Sequence, residues 1–375
     1  MVSQQQERLG VALVGVGWVA IQHLAAFLAN PRARVLYLCS RDEQRAWRRV
    51  RDAGLSLPDV RFTKRYGDLL ESPEVDIISI STPNHLHADQ AVAAARAGKH
   101  LLLEKPTGLD LAELRRIRDA VRRAKVRTIV SFELHYNPYL RVARWLRESG
   151  RLGSLRFARF QYLSRVTDWY SGWSWARTKR SGRSHLLAAG CHAVDAMRWC
   201  TGLEPVEVSA YHTRFTSGYE YPTSIVANVK FGRSARSPVL GQIVSSTDFQ
   251  MPYAFGVEMM GDRATLRDDL ILWNETPVDL EELRRACPVR DVSFRADRTA
   301  TGAGVIRIEA DMPGSADVRH HPFQGEIDEL IACIVENRET HLNVYDAQKT
   351  MEVCIAADRS AERGAKPVRL PLLRK

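Results

Sequence analysis

The chain has 375 residues, of which 45% are hydrophobic and 26% charged. This composition excludes an intrinsically disordered chain, and the length allows two domains or one large one. The net charge is +10, but basic and acidic residues are mixed in every segment, as in the run 113–125. Nucleic-acid binding gathers basic residues on one face or in a tail, so nucleic acid is not expected as a partner.

Six cysteines are scattered, and none forms a C-x-x-C pair. This favours reduced thiols over a disulfide framework or a zinc site, and we expect no metal centre. The apolar segment 9–29 has the length of a membrane span, but Gly10, Gly15 and Gly17 interrupt it. A strand followed by a helix explains these glycines better. With no targeting signal apparent, we expect a cytoplasmic protein without a membrane partner.

In the first third of the chain, short apolar runs alternate with amphipathic helical patterns. The predicted strands are 10–14, 35–39, 77–80, 101–103 and 128–131, and the predicted helices are 19–29, 43–53, 87–97 and 111–124. Such alternation indicates βαβ units and a parallel sheet. The sequence therefore predicts an α/β domain with a parallel sheet over residues 1–132.

After residue 132, apolar and polar residues alternate at every second position, which indicates a half-exposed, mostly antiparallel sheet. The alternating runs include 155–162, 206–211 and 224–231, and helices are expected at 183–200, 323–337 and 345–363. The segment 275–320 lacks periodicity and is expected to be a long loop or insertion. We predict a second, α+β domain with an open sheet over residues 133–375, whose last helices could pack back on the first domain.

A glycine-rich turn follows the first predicted strand. It reads G-x-G-x-x-A, with Gly15, Gly17 and Ala20 in the fingerprint positions. Gly15 permits the tight turn, and Gly17 lets the backbone approach a pyrophosphate at the helix N-terminus. With the alternation of strands and helices, this turn predicts that residues 1–132 form a Rossmann domain that binds a dinucleotide. Trp18 and Val19 open that helix and are expected beside this cofactor. A purely structural turn is the alternative, since a lone fingerprint is weak.

Residues at the end of the second strand usually contact the adenosine ribose of the cofactor. NAD-binding proteins usually place a carboxylate there. This chain instead has Ser40 and Arg41, which could donate to a 2′-phosphate, while Asp42 comes slightly later. The cofactor is therefore expected to be NAD or NADP, and the charge at these positions favours NADP.

Five further motifs follow in order along the chain. They are Thr82-Pro-Asn-His-Leu-His87, Glu104-Lys-Pro106, Tyr136-Asn-Pro138, Gly190-Cys-His-Ala-Val-Asp195 and Gly261-Asp-Arg-Ala-Thr-Leu-Arg267. With the glycine turn, this order resembles the Gfo/Idh/MocA family, the glucose–fructose oxidoreductase and inositol dehydrogenase relatives, over nearly the whole chain. The resemblance implies a second domain that binds substrate and oligomerises, often as a dimer or tetramer. Most family members oxidise or reduce a hydroxyl of a sugar or cyclitol.

The resemblance also implies the lining of the cofactor crevice. The residues implied are Thr82, Pro83, Asn84, His87, Glu104 and Lys105. The position agrees with the rule that such crevices lie beyond the carboxyl ends of parallel strands. Lys105 could aim its ammonium at the nicotinamide and the substrate and relay a proton. A strand-end lysine in water is the alternative.

The family's catalytic pattern D-x-G-x-H-x-x-D is incomplete in this chain. Ala188 replaces the first aspartate, while His192 and Asp195 are present. His192 is therefore the expected general acid or base, because an imidazole titrates near neutral pH. His185 could compensate for the missing carboxylate or be structural. Asp195 could orient its neighbours rather than catalyse.

Aromatic and basic residues precede this helix, and they suggest a substrate wall. Aromatic rings stack on sugars, and guanidinium groups pair with anions, which favours an anionic sugar. Ordinary packing with a solvated basic loop is the alternative. The residues expected to bind substrate are Lys105, Tyr136, Trp173, Trp175, Arg177, Lys179, Cys191 and His192.

The sequence thus predicts an NAD(P)-dependent oxidoreductase that transfers a hydride to or from a ring carbinol of a sugar, sugar derivative or cyclitol. Lys105, His192 and His185 are the expected catalytic residues. Two alternatives stay open. One is an NAD-dependent glycosidase that oxidises C3 transiently and eliminates the glycosidic group. The other is a dinucleotide-binding sensor without catalysis.

Overall fold

The computed structural model of the protein describes residues 8–164, 174–232, 238–273, 279–298, 304–311 and 321–373. The chain divides into two compact units. The first unit comprises Met1–Glu133 and Phe323–Lys349, and the second comprises Leu134–Pro322 and Thr350–Lys375. All six cysteines are free thiols. None of the described helices is long and apolar enough to cross a membrane.

The first unit is built on a six-stranded parallel sheet. Its strands are β1 (Leu9–Val14), β2 (Ala33–Cys39), β3 (Arg61–Thr63), β4 (Ile77–Ile80), β5 (His100–Leu103) and β6 (Thr128–Val130). They lie in the order β3-β2-β1-β4-β5-β6, and every neighbouring pair is parallel. This confirms the predicted Rossmann fold. The sequence prediction missed β3, because its three residues are partly exposed and too few to show a period.

The helices of the first unit follow the spacing of their apolar residues. In one of them Leu114, Ile117 and Val121 are buried at intervals of three and four residues. That helix begins after Asp110, whose carboxylate accepts the backbone N–H of Glu113. The helices of this unit are Trp18–Ala29, Glu43–Asp52, Tyr66–Glu71, His87–Arg96, Leu111–Ala124, Phe323–Val335 and the start of Val344–Glu362.

The second unit is built on a ten-stranded, mostly antiparallel sheet. Its strands are β7 (Leu155–Leu163), β8 (Pro205–Thr213), β9 (Ser224–Phe231), β10 (Val239–Ser246), β11 (Ala254–Gly261), β12 (Ala264–Arg267), β13 (Leu270–Trp273), β14 (Val292–Arg298), β15 (Gly304–Ala310) and β16 (Val368–Arg369). The order is β14-β15-β13-β12-β11-β7-β10-β9-β8-β16. The central strand β7 pairs in parallel with β10 and antiparallel with β11. This confirms the predicted mostly antiparallel sheet.

Two expectations for the second unit need correction. The segment 275–320 is not a long loop, since its described part contains the helix Leu280–Ala286 and the hairpin β14–β15. The expected helix at 183–200 is a π-helical turn, Leu186–Gly190, followed by the helix Cys191–Thr201. A change of helical pitch is too local for periodicity to detect, whereas the seven-residue strands of the hairpin carry an alternation that was overlooked. The other helices of this unit are Pro138–Glu148, Lys179–Gly182 and the rest of Val344–Glu362.

The centre of the second sheet can be tested by removing one ring. Phe160 on β7 is 0% exposed, whereas Phe215 is 77% exposed. Phe160→Ala should lower the free energy of unfolding by about 3–5 kcal/mol, because it leaves a cavity in the core. Phe215→Ala should change it by less than about 0.5 kcal/mol. Urea denaturation of both variants beside the wild type measures this difference, and equal losses would contradict the assignment of the core.

Candidate active site

In the first unit, the residues predicted to bind a cofactor meet at one edge of the sheet. The glycine turn follows β1, Ser40 follows β2, Thr82 follows β4, and Lys105 lies two residues beyond β5. Because these strands are parallel, their carboxyl ends share that edge. The strand order reverses between β1 and β4, so this edge contains the crevice in which doubly wound sheets bind ligands.

The two glycines of the turn have different geometries. Gly15 has φ +82°, and a Cβ there would lie 2.5 Å from the carbonyl oxygen of Ser81. Gly17 precedes the helix Trp18–Ala29, and a Cβ there would have no atom within 4 Å. Gly15 is therefore required by the fold itself, whereas Gly17 borders open space at a helix N-terminus. Trp18 and Val19 are half-buried beside it.

At the end of β2, the three polar residues are not equivalent. Ser40 is half-buried, and its backbone N–H donates to Thr63. Arg41 is exposed. Asp42 caps the helix Glu43–Asp52, since its carboxylate accepts the backbone N–H of Arg45 at 2.9 Å. The carboxylate in this segment is thus engaged in capping.

The segment after β4 is held by a buried histidine. Thr82 and Pro83 are half-buried, and Asn84 is 9% exposed in a short 3₁₀ turn. His87 is 1% exposed, and its Nε2 lies 2.8 Å from the carbonyl oxygen of Thr82. Its Nδ1 lies 2.8 Å from the carbonyl oxygen of Pro106. The structure therefore buries His87 between two loops, in contact with the backbone of both.

The segment after β5 lies against a buried charge cluster. His23 Nε2 is 3.5 Å from Glu104 Oε1 and 3.4 Å from Glu326 Oε1. Burial alone lowers the pKa of His23, but the two carboxylates outweigh burial and raise its pKa to about 9. Burial raises the pKa of Glu326 to about 7. Burial likewise acts to raise the pKa of Glu104, but His23 and Lys105 reverse this and lower it.

Lys105 itself is half-buried, and its backbone N–H donates to Glu104 Oε2 at 3.1 Å. The two flanking residues are thus both in contact with buried imidazoles, Glu104 with His23 and Pro106 with His87. The side chain of Lys105 extends from a fixed piece of backbone.

In the second unit, five rings form a group that we call the ring cluster: Tyr162, His185, His192, Tyr253 and His321. His192 is 1% exposed and stacks on Tyr162, with ring centroids 5.8 Å apart and planes 14° apart. His321 packs edge-to-face on His192 at 5.3 Å, and the Tyr253 hydroxyl is 3.3 Å from His321 Nε2. His192 therefore lies among aromatic faces with a second imidazole at its side.

His185 belongs to the same cluster but is held differently. Its Nδ1 is 2.7 Å from the hydroxyl of Ser245, which is fully buried on β10. Gly190 makes room for this contact, since a Cβ there would lie 2.1 Å from the Ser245 hydroxyl oxygen. Ala188, in the π-helical turn between them, is half-exposed. A methyl group thus occupies the position where the family pattern has a carboxylate.

Asp195 has partners of its own. It accepts from His135 Nε2 at 2.7 Å and from the Thr350 hydroxyl at 2.8 Å. Arg198 lies 3.7 Å from the same carboxylate, and all these groups are buried. Its contacts agree with an orienting role for Asp195, because both of its oxygens are engaged by buried neighbours.

The segment predicted to hold substrate lies partly outside the described residues, which exclude Trp173. Trp175 and Tyr136 are half-buried, and Cys191 is fully buried. The Arg177 guanidinium lies 5.7 Å from the centre of the Tyr219 ring. Lys179 is exposed. The backbone N–H of Lys179 donates to Glu220 Oε2 at 2.9 Å, which fixes the start of the short helix Lys179–Gly182.

Sequence reasoning missed three members of the ring cluster, Tyr162, Tyr253 and His321. Tyr162 stands in an alternating run, which predicts its strand but not which rings meet it. His321 is far from His192 in the chain, and no periodicity links them. Glu326 was missed for the same reason, since it meets His23 only once the chain has folded.

Comparison with known proteins gives relatives along most of the chain. Levoglucosan dehydrogenase of Pseudarthrobacter phenanthrenivorans is 29% identical over 209 residues, 52% of this chain and 52% of the relative. Uncharacterized oxidoreductase ORF334 of Rhizobium meliloti is 27% identical over 356 residues, 94% of this chain and 96% of the relative. The chain therefore spans about half the length of the former and nearly all of the latter.

Solved structures show the same fold. The structure of levoglucosan dehydrogenase in complex with NADH and levoglucosan has a TM-score of 0.77 at 21% identity, covering 97% of this chain and 100% of that chain. Residues 9–132 match the model of an oxidoreductase family with an NAD-binding Rossmann fold, and residues 140–267 match the GFO/IDH/MocA C-terminal domain. With both of its domains matched over more than half of the sequence, the chain belongs to the GFO/IDH/MocA family of oxidoreductases.

Proposed function

We propose that the protein is an NAD(P)-dependent oxidoreductase that transfers a hydride to or from a ring carbinol of a sugar, a sugar derivative or a cyclitol. The observation that carries the proposal is the open space at Gly17, at the N-terminus of the first helix and at the switch point of the parallel sheet. The substrate class rests on similarity to sugar dehydrogenases such as levoglucosan dehydrogenase.

The residues at the sheet edge fit a dinucleotide. Backbone N–H groups at the start of the helix Trp18–Ala29 favour an anion such as a pyrophosphate, and Gly17 presents no side chain in its way. Thr82, Pro83 and Asn84 would line the crevice beside it. The bound nicotinamide supplies the hydride acceptor or donor.

The ribose end supports NADP over NAD. Asp42 is engaged as a helix cap, so the groups left to meet the 2′ position are the Ser40 hydroxyl and the Arg41 guanidinium. Both donate hydrogen bonds, and a guanidinium pairs well with a phosphate. A 2′-phosphate would therefore be better accommodated than a bare hydroxyl.

His192 is the proposed general acid–base group. In the oxidation direction a ring nitrogen of His192 accepts the hydroxyl proton, and in the reduction direction it returns that proton. The Lys105 ammonium assists by stabilising negative charge on the same oxygen. His185 is held by Ser245, so we assign it a supporting part in the place of the missing carboxylate.

The substrate is proposed to lie against the aromatic faces of the second unit, including Trp175. Tyr136 and Cys191 keep their proposed places beside it. Arg177 and Lys179 would bind a carboxylate or phosphate, and one charge-assisted hydrogen bond contributes about 1.5–3 kcal/mol. This favours an anionic sugar derivative.

We further propose a cytoplasmic homo-oligomer, a dimer or tetramer. Apolar side chains stand exposed on neighbouring strands of the second sheet, with Tyr211 71%, Val226 42% and Leu240 51% exposed. Clusters of this kind favour burial against a partner.

Ala188 favours two competing functions, because the usual carboxylate is missing from the site. Transient oxidation at C3 followed by elimination would make the protein an NAD-dependent glycosidase, whereas complete loss of turnover would make it a sensor. The deciding experiment is a screen of neutral sugars, matched acidic sugars and glycosides with NAD and with NADP. Net cofactor reduction supports the dehydrogenase, glycoside cleavage without net reduction supports the glycosidase, and binding without either supports the sensor.

The pyrophosphate assignment predicts opposite effects at the two glycines. Gly17→Ala should weaken dinucleotide binding about tenfold or more, because the methyl group blocks the close approach, while changing unfolding free energy by less than about 1 kcal/mol. Gly15→Ala should destabilise the fold by about 2 kcal/mol or more, since the left-handed backbone and Ser81 exclude a Cβ. Calorimetric titration and thermal unfolding check the pair; unchanged affinity in Gly17→Ala would rule out the assignment.

The ribose assignment predicts a change of cofactor preference. Ser40→Asp should shift the ratio of kcat/KM for NADP over NAD by about tenfold or more toward NAD, since a carboxylate repels the 2′-phosphate and accepts from the 2′-hydroxyl. Ser40→Ala is the matched control, as it removes the hydroxyl without adding charge. A wild type that already strongly prefers NAD would refute this assignment.

If His192 is the general acid–base group, its removal should lower turnover without weakening dinucleotide binding. His192→Ala should lower kcat about a hundredfold or more, the usual contribution of a general acid–base group, with dinucleotide affinity near wild type. The exposed His212, on β8, provides the control variant His212→Ala, which should keep full activity. Near-normal turnover of His192→Ala would remove this residue from the mechanism.

A further inference from the structure

The backbone on both sides of Lys105 is in contact with a buried ring. Glu104 meets His23, as described above, and the carbonyl of Pro106 meets His87. The second contact also joins two loops, because the other nitrogen of His87 meets the carbonyl of Thr82. One ring thus links the loop after β4 to the loop that carries Lys105.

The chemistry of the two contacts fixes the state of the His87 ring. A backbone carbonyl oxygen only accepts hydrogen bonds. A neutral imidazole has one N–H and one nitrogen lone pair, so it can donate to only one of two carbonyls. At 2.8 Å on both sides, the second contact of a neutral ring would set two lone pairs against each other. Two hydrogen bonds require both ring nitrogens to be protonated.

The groups around His87 have opposing effects on its pKa. Burial lowers the pKa of His87, and the charge of Lys105 adds to this effect, whereas the two carbonyls and the Glu104 carboxylate oppose it. Burial and Lys105 by themselves would place the pKa of His87 below its ordinary value. The hydrogen-bond geometry instead favours the protonated ring. We give the geometry more weight, because neither nitrogen of this buried ring can exchange its carbonyl partner for water.

We propose that His87 is a positioning residue for Lys105, and that it works as an imidazolium whose two N–H groups hold the loop after β4 to the loop after β5. The inference rests on the proposed function for the role of Lys105. The state of the ring itself does not depend on any activity.

The first experiment measures the protonation state of the His87 ring directly. NMR of the full-length protein labelled with ¹⁵N-histidine, at pH 7, should show one ring with two slowly exchanging N–H protons and two nitrogen shifts close together. Through-space contacts of these protons with Thr82 and Pro106 identify His87. The exposed His212 gives the reference for a solvated ring. A His87 ring with one protonated and one bare nitrogen would overturn the proposal.

The second experiment tests whether His87 positions Lys105. His87→Gln can donate to one carbonyl but cannot bridge both as a rigid ring, so kcat should fall about tenfold or more through misplacement of Lys105. His212→Gln should stay within about twofold of wild type. Active sites are counted by dinucleotide binding, so that a merely less stable variant keeps its kcat per site. An unchanged kcat per site in His87→Gln would overturn the positioning role.

The two failures can be told apart. If the protein shows no oxidoreductase activity, the proposed function falls and the NMR measurement still decides the state of His87. If the enzyme is active and the His87 ring is neutral, the proposed function stands and only this inference falls.

Discussion

The first unit depends on one buried charge balance, in which the His23 imidazolium lies between Glu104 and Glu326. An isolated charge removed from water costs several kcal/mol, more than any single apolar contact returns, so each of these groups needs the others. The three residues come from the first helix, the end of β5 and the helix Phe323–Val335. A late segment of the chain is thereby tied to the first sheet. The same balance fixes Glu104, next to the proposed catalytic lysine.

The second unit buries several imidazoles in and beside an otherwise apolar helix. Ser245 and Tyr253 supply hydroxyl groups to His185 and His321, while Tyr162 supplies a ring face to His192. The π-helical turn changes the pitch just before the helix that carries His192. Such turns often occur at functional sites, where they redirect side chains that a regular helix would space evenly.

Local patterns predicted the parallel sheet, the antiparallel sheet and most helix bounds, because burial on one face imposes a period on the sequence. Local patterns did not lead to the prediction of two types of feature. β3 has only three residues, too few for a period, whereas the hairpin β14–β15 has seven residues in each strand and its alternation was overlooked. Contacts between distant segments, such as His192 with His321 or His87 with Pro106, leave no local pattern. His87 was predicted to line the crevice; the structure buries its ring against the backbone of two loops, and its role in the site stays a prediction.

The position of β7 in the second sheet has a consequence for synthesis on the ribosome. Both partners of β7, β10 and β11, lie much later in the chain, and the intervening residues include the helix with His192. While the nascent chain is shorter than about the end of β10, both edges of β7 stay without a partner, and exposed strand edges invite pairing with other chains. Closing so long a loop is also slow. A pause in translation between β7 and β10 would prolong that exposure.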